Sequence, residues 1–354
     1  MTCQGSPTFE MDLSEAIEII KTERINRVLL QFPSGLIEPL SQKAIKILQN
    51  ISSTLELYTS ADVCFGACDL AINEAKMLQC ELLIHFGHSD FGYPFNDEDI
   101  RVVYIPITVP PLAEKIANQV LEIILERKWK KIAIFTTIQH LNRLNTLISK
   151  LSNSEINILS NKTGKPCQQI LGCLIPVIPT QDIDAIVCVA GGNFHVEAIQ
   201  LRYSIPILHI DPFIEEYIIL SERTKIEFFK KRYAQIYHAK AAKKWGILIG
   251  VKSGQYRPKE IALAKKWLDE AQKTTFLFTS GVVNPTYLEN FVYIDAWIFS
   301  ACSRLSLELH STSTSILTIQ ELAVVLGKLS WEKYVQDPFV SPYLIEKKTD
   351  KNQL

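Results

Sequence analysis

Residues 130–137, "KKIAIFTT", join a basic start to a near-continuous apolar run, the pattern of a strand buried on both faces of a parallel sheet. The stretch matters because the same strand–helix alternation has already run once before it. "RVLLQF" (27–32), "LELYTS" (55–60), "ELLIHFG" (81–87) and "RVVYIPI" (101–107) read as strands, and "GLIEPLSQKAIKILQN" and "CDLAINEAKMLQ" between them carry helical periodicity. At residue 130 the pattern restarts and continues through "INILSN", "QQILGC", "DAIVCVAGG" and "IPILHIDP". It restarts again at "KWGILIGV" (244–251) and runs through "TTFLFTSG" (274–281) and "DAWIFSA" (295–301). Three openings about 105–115 residues apart predict three related α/β domains, each a small parallel sheet flanked by helices. The expected limits are residues 1–122, 123–222 and 223–345, with a flexible charged tail at 346–354.

Composition agrees with several compact units. The chain has 354 residues, 47% of them hydrophobic and 21% charged, with a formal net charge of −1. That length holds two or three cores rather than one. No basic block is long enough for nucleic-acid binding through phosphate neutralisation. The start, "MTCQGSPTFEMDLSEA", lacks a basic segment followed by an apolar one, so it does not read as a signal peptide. The apolar runs fall short of the roughly 18–20 residues needed to span a bilayer, and a cytoplasmic protein is expected. "TKIEFFKKRYAQIYHAKAAKKW" (224–245) reads as one long amphipathic helix with a solvated basic face.

In parallel α/β units ligands gather beyond the carboxyl ends of the strands. Cysteines stand at 3, 64, 68, 80, 167, 173, 188 and 302. Cys68 follows "LELYTS" by a short loop, Cys173 closes "QQILGC", and Cys302 ends "AWIFSAC". One cysteine per unit thus occupies a strand end. If the units meet about a central axis, three thiolates converge on one site, and three thiolates leave the fourth iron of a [4Fe–4S] cluster open.

Cys64 and Cys68 on their own are weaker. A further cysteine three residues on would make the usual radical-SAM cluster loop, but Ala71 stands there, and no second pair has zinc spacing. Cys64 reads as a neighbour, and Cys3, Cys80, Cys167 and Cys188 as ordinary thiols. "HFGHSDFG" carries His85 and His88, either a polar strand-end loop or a polar wall of the inter-unit crevice. Gly191 and Gly192 of "GGNFH" form a turn whose amides suit a carboxylate or phosphate, or a turn and nothing more. Gly254 and Gln255 of "VKSGQ" stand at a close backbone approach that is not a Walker loop. No nucleophile elbow is present.

Taken in order, "RVLLQFPSGL", "DVCFGACDLA", "HFGHSDF", "QILGC", "GGNFH", "KRYAQIYHAKAAKKWGILIGVKSGQ", "IDAWIFSACSRLSLE" and "LGKLSWEKY" resemble the archaeal diphthamide-synthase family over about residues 12–345. The resemblance implies three α/β domains around a central [4Fe–4S] cluster, a homodimer, and ligation by Cys68, Cys173 and Cys302. It also implies an atypical radical reaction of S-adenosylmethionine. The Cγ–S bond is cut, a 3-amino-3-carboxypropyl radical and methylthioadenosine result, and the radical adds to imidazole C2 of one histidine in translation elongation factor 2. The electron donor is left unassigned. By position, His85, His88, Gly191, Gly192, Gly254, Gln255 and Arg304 are expected near the cofactor, with Arg304 suited to the methionine carboxylate. Two departures from the family pattern stand out: Ser303 where proline is usual, and Phe65 where tyrosine is usual.

Two other readings fit parts of the pattern. Quinolinate synthase also joins three α/β units around a three-cysteine [4Fe–4S] cluster. A non-catalytic cluster or scaffold partner of elongation factor 2 is the second.

Overall fold

The computed structural model describes residues 9–90, 100–161, 163–220, 222–302, 304, 307, 309 and 314–345. Ser303 and the expected tail at 346–354 lie outside them.

Three separate sheets account for most strands. The first contains β2 (Arg27–Gln31), β3 (Glu56–Thr59), β4 (Leu82–Phe86) and β5 (Arg101–Ile105), in the order β3-β2-β4-β5, all parallel. Helices α1 (Ser14–Thr22), α2 (Ile37–Gln49) and α3 (Ile72–Met77) belong to this part of the chain. A two-stranded antiparallel ribbon, β1 (Glu10–Met11) with β6 (Ile107–Thr108), closes it.

The second sheet is built from β7 (Lys131–Thr136), β8 (Asn157–Ile158), β9 (Cys167–Gln169), β10 (Ala185–Val189), β11 (Ile207–Asp211) and β12 (Glu216–Leu220). Its order is β12-β11-β10-β7-β8, with β9 also on β7. The third contains β13 (Lys244–Gly250), β14 (Thr274–Ser280), β15 (Ala296–Phe299) and β16 (Ser315–Leu317), ordered β14-β13-β15-β16. In the four-stranded sheets the first strand is central, the next pairs on one side, and the following two extend the other; in the second sheet β8 and β9 both pair with the central β7 on one side, and β10, β11 and β12 extend the other. The expected strands form almost where the apolar runs lie; inner strands such as β4 and β10 are buried at every residue, as a strand covered on both faces must be, whereas the edge strands β3 and β14 stay partly exposed.

A repeated hydrogen bond ties each sheet at its amino end. In each unit the acidic residue just before a later strand that pairs with the first accepts from two amides at the start of the first. Glu81 takes Asn26 N and Arg27 N at 2.8 and 3.2 Å. Asp184 takes Lys130 N and Lys131 N at 2.7 and 2.8 Å. Asp295 takes Lys243 N and Lys244 N, both at 2.8 Å. The same chemistry at the same topological position three times supports a common ancestry of the units.

Several details differ from expectation. The second sheet is mixed: β12 pairs antiparallel with β11. Its exposed Tyr217 and Ile218 lack the burial that makes inner strands conspicuous in sequence. The helix expected over 224–245 is α7 (Glu222–Ala239), and Lys244 already belongs to β13. Cys173 does not close a strand; it lies in a turn four residues beyond the end of β9 at Gln169.

Helix α4 (Glu114–Glu126) is cut by the boundary expected at residue 122, yet its Ile116, Ala117, Val120 and Ile124 bury into the core of the second sheet with Ile132 and Leu147. We therefore propose that the second unit opens ahead of α4. That unit also contains α5 (Asn145–Asn153) and α6 (Phe194–Arg202). In the third, α7 packs with α8 (Pro258–Glu270), α10 (Ile319–Val325) and α11 (Trp331–Gln336), and α9 (Pro285–Leu288) lies beside the sheet.

Inside the third unit Arg232 and Glu321, both fully buried, form a two-point ion pair at 2.7 and 2.6 Å. Tyr334 Oη donates to Glu321 at 2.7 Å, and Glu321 also closes a capping box with Thr318 at the start of α10. Both oxygens of Glu321 are taken up, while Nη1 of Arg232 has no hydrogen-bond partner among the described residues; desolvating two charges is tolerable when most of their lone pairs and protons are satisfied.

Candidate metal centre

The described cysteines sort by exposure. Cys64, Cys80, Cys167 and Cys188 are buried, whereas Cys68, Cys173 and Cys302 are half-buried. The half-buried three sit one per unit, at or just beyond the carboxyl ends of strands. Two seams hold these loops together.

The first seam joins units one and three. Gly254 lies so close to the Cys68 loop that a Cβ there would stand 2.7 Å from Cys68 Cα and 2.8 Å from its carbonyl oxygen. Gly254 N donates to Cys68 O at 2.8 Å. The neighbouring Gln255 Nε2 donates to Cys68 Sγ at 3.5 Å. Lys252 Nζ pairs with the buried Asp69 carboxylate at 2.6 Å, and Leu70 N donates to Ser253 Oγ at 3.0 Å. Only glycine permits this approach, since any side chain would push the two loops apart.

The second seam joins units two and three. Gly172, next to Cys173, has the Phe194 ring where its Cβ would be, at 2.0 Å. The Arg304 guanidinium lies 4.9 Å from the same ring centroid and pairs with Glu197 at 2.8 Å. A stack of Gly172, Phe194 and Arg304 thus ties the Cys173 turn to the segment after Cys302. Cys173 also lines a cavity of about 230 Å³ with Ser300 and Ala301, which immediately precede Cys302.

Electrostatics follow from this packing. Burial pushes the Cys68 thiol up, opposed by the Gln255 amide, while the neighbouring Cys173 pushes it further up. Burial holds His85 down at about 3, His88 at about 4 and His195 at about 4, with Arg304 also lowering His195. All three imidazoles are therefore neutral near pH 7. The Nδ1 of His195 is buried and has no hydrogen-bond partner among the described residues.

The residues expected near a cofactor fall into place unevenly. Gln255 and Gly254 touch Cys68. His85 and His88 are not a loose polar wall: His85 Nε2 and His88 Nδ1 share a hydrogen at 2.9 Å. The amide of Gly192 does bind a carboxylate, that of the chain's own Asp211 at 2.7 Å, and Gly191 packs on Phe213. Arg304 has Glu197 as its carboxylate partner here. Phe65 is exposed, with Lys252 Nζ 5.3 Å from its ring centroid. Sequence reasoning missed Gly172, Phe194 and Lys252. A glycine directly before a cysteine was the only available signal for the first.

The donor set fits a [4Fe–4S] cluster. Soft sulfur suits iron–sulfur binding, three thiols leave one iron open, and an amide hydrogen on a sulfur is a usual tuning contact. Beside Phe194 and Arg304 of the second seam, the orphaned His195 nitrogen shows polar capacity that the described residues do not satisfy.

Residues 32–335 match the family described as "Putative diphthamide synthesis protein". The chain belongs to the diphthamide synthesis family. It is similar to the 2-(3-amino-3-carboxypropyl)histidine synthase of Pyrococcus horikoshii, with 28% identity over 90% of this chain and 91% of the relative. Subunit 1 of the Schizosaccharomyces pombe synthase is 26% identical over 92% of this chain and 75% of the relative. Among solved structures, Dph2 from P. horikoshii superposes with a TM-score of 0.76 at 26% identity, covering 91% of this chain and 92% of that one. The same protein with its 4Fe–4S cluster gives 0.75 over the same shares. These matches span all three units. Among the described residues no helix is long and apolar enough to cross a membrane.

Proposed function

We propose that this chain transfers the 3-amino-3-carboxypropyl group of S-adenosylmethionine to imidazole C2 of a specific histidine in translation elongation factor 2. This is the first step of diphthamide formation, and methylthioadenosine is the co-product. The observation that carries the reading is the set of three half-buried thiols, Cys68, Cys173 and Cys302, one from each unit. In this family member they are the ligands we assign to the [4Fe–4S] cluster. The chemistry the cluster supplies when bound is one-electron reduction of the sulfonium at its open iron.

The protein's own contribution is positional. Gly254 and Gln255 bring unit three onto the Cys68 loop, and the Gln255 amide favours the thiolate. The Gly172–Phe194–Arg304 stack fixes the other two loops relative to each other. His85, His88 and His195 are held neutral by burial and add no positive charge beside the centre. We further propose that the protein acts in the cytoplasm as a homodimer.

The test is anaerobic incubation of the cluster-loaded protein with S-adenosylmethionine, dithionite and elongation factor 2. Methylthioadenosine, together with a 3-amino-3-carboxypropyl adduct on one histidine, is expected. 5′-Deoxyadenosine in its place, or an intact cluster with neither product, overturns the proposal.

A further inference from the structure

Cys64 takes no part in the assignment above, yet it is not isolated. Cys64, His85 and His88 each offer one ligand atom, the three lying within 4.8 Å of one another. Gly87 makes this possible. With φ of +79° it turns the chain sharply after β4, and a Cβ there would meet Pro33 Cγ at 2.9 Å. The turn brings His88 back beside His85.

The support behind His85 is specific. Gln31, its register partner on β2, presents Oε1 to His85 Nδ1 at 2.8 Å. The same oxygen accepts from Ala71 N at 3.1 Å, and Gln31 Nε2 donates to Asp69 O at 2.7 Å. Those two backbone contacts settle which end of the amide faces His85. His85 Nδ1 must therefore carry the hydrogen, and Nε2 keeps its lone pair. Proteins hold metal-ligating imidazoles in this way, with the outer nitrogen donating to a fixed acceptor and the inner one aimed at the ion. The inner nitrogen here faces His88 Nδ1 at 2.9 Å. Two imidazoles that meet at one ligation point share a hydrogen there when no cation does.

We propose that Cys64, His85 and His88 form a mononuclear site for a first-row divalent cation, zinc foremost, distinct from the three-cysteine centre. One sulfur and two imidazole nitrogens are a donor set that zinc accepts, and three protein ligands leave a fourth position for water. On binding, the S–H bond of Cys64 breaks and a sulfur–metal bond forms. The hydrogen between the imidazoles moves to the other nitrogen of His88. One proton per ion leaves to solvent. Neither redox chemistry nor the transferase reading is required.

The test uses the full chain, loaded anaerobically with its iron–sulfur cluster, given one equivalent of zinc sulfate and desalted. Elemental analysis is expected to find about one zinc retained per chain beside about four irons. Zinc-edge X-ray absorption should give one sulfur at about 2.3 Å and nitrogen or oxygen neighbours at about 2.0 Å. Cys64→Ala should lose the zinc and keep the iron, and Gln31→Leu should weaken zinc binding by about 10–100-fold. The absorption shell on the unaltered chain reads the site even if a variant misfolds. Zinc that is not retained, zinc in a three-sulfur shell, or zinc indifferent to Cys64→Ala overturns the proposal.

Discussion

Two polar clusters join distant parts of this chain, and they are built on opposite terms. The Arg232–Glu321–Tyr334 cluster lies wholly inside the third unit, and every carboxylate oxygen of Glu321 has a partner at 2.8 Å or less. The Cys68 seam lies between the first and third units, and its sulfur is half-buried with one long contact from an amide. A cluster closed on its carboxylate side, even with Nη1 of Arg232 left over, fixes a helix in place. An open one keeps bonding capacity for something the chain does not supply. The contrast separates structural from chemical roles more sharply than burial alone, since Arg304 is as buried as Arg232 and yet belongs to the open region.

Breaking the closed cluster should have the largest effect on stability. Glu321→Ala leaves Arg232 charged and buried, and a loss of about 3–5 kcal/mol is expected. Chemical denaturation should show it as a lower midpoint, while protein still folded retains its iron. Loss of iron without loss of stability would mean that the two clusters are not independent.

The glycines of the seams come next. Gly172→Ala and Gly254→Ala each force a Cβ into a ring or a backbone, at about 1–3 kcal/mol. Their distinctive signature is a fall in retained iron larger than the fall in stability. Iron content equal to that of the unaltered chain in both variants would show that the seams do not set the cysteine geometry.

A pH effect of smaller size comes from His140, which is nearly fully buried and held down at about 4 by burial, against the opposing pull of Asp211. The unfolded chain takes up this proton near 6.5, and the folded chain resists until about 4. Stability is therefore complete above about pH 6.5 and declines as pH drops through that window. His140→Gln should fall less between pH 7 and pH 5, by about 1–2 kcal/mol, in urea titrations at the two values. A parallel fall in both proteins would place the titrating group elsewhere.

The smallest effect sharpens the open side. Gln255→Leu removes the amide hydrogen from Cys68 sulfur, and the reduction potential of the bound cluster should drop by on the order of 40 mV, about 1 kcal/mol for one electron. Redox titration followed by electron paramagnetic resonance measures it.

Much of this was legible in the chain. Buried parallel strands announce themselves as apolar runs, and their carboxyl ends single out Cys68, Cys173 and Cys302 without any contact being known. The antiparallel β12 was not legible, because "EEYIIL" begins with charge and stays partly exposed. The helix over 224–245 was overextended, since periodicity says little about where a helix gives way to a strand. The Gly172–Phe194–Arg304 stack and the grouping of Cys64 with His85 and His88 depend on loop packing and on the register that sets Gln31 opposite His85. Neither has a signature along a single stretch. The repeated carboxylate caps at Glu81, Asp184 and Asp295 were visible only as "DAIV" and "DAWI", too short to weigh before the hydrogen bonds were seen.

The central claim is that three half-buried thiols from three units hold one cluster. Its most direct test measures iron and sulfide after anaerobic reconstitution of four single variants, Cys68→Ala, Cys173→Ala, Cys302→Ala and Cys64→Ala. The account predicts collapse of the brown absorbance in the first three and its retention in the fourth. A full cluster in any of the first three, or its loss in Cys64→Ala alone, would contradict it.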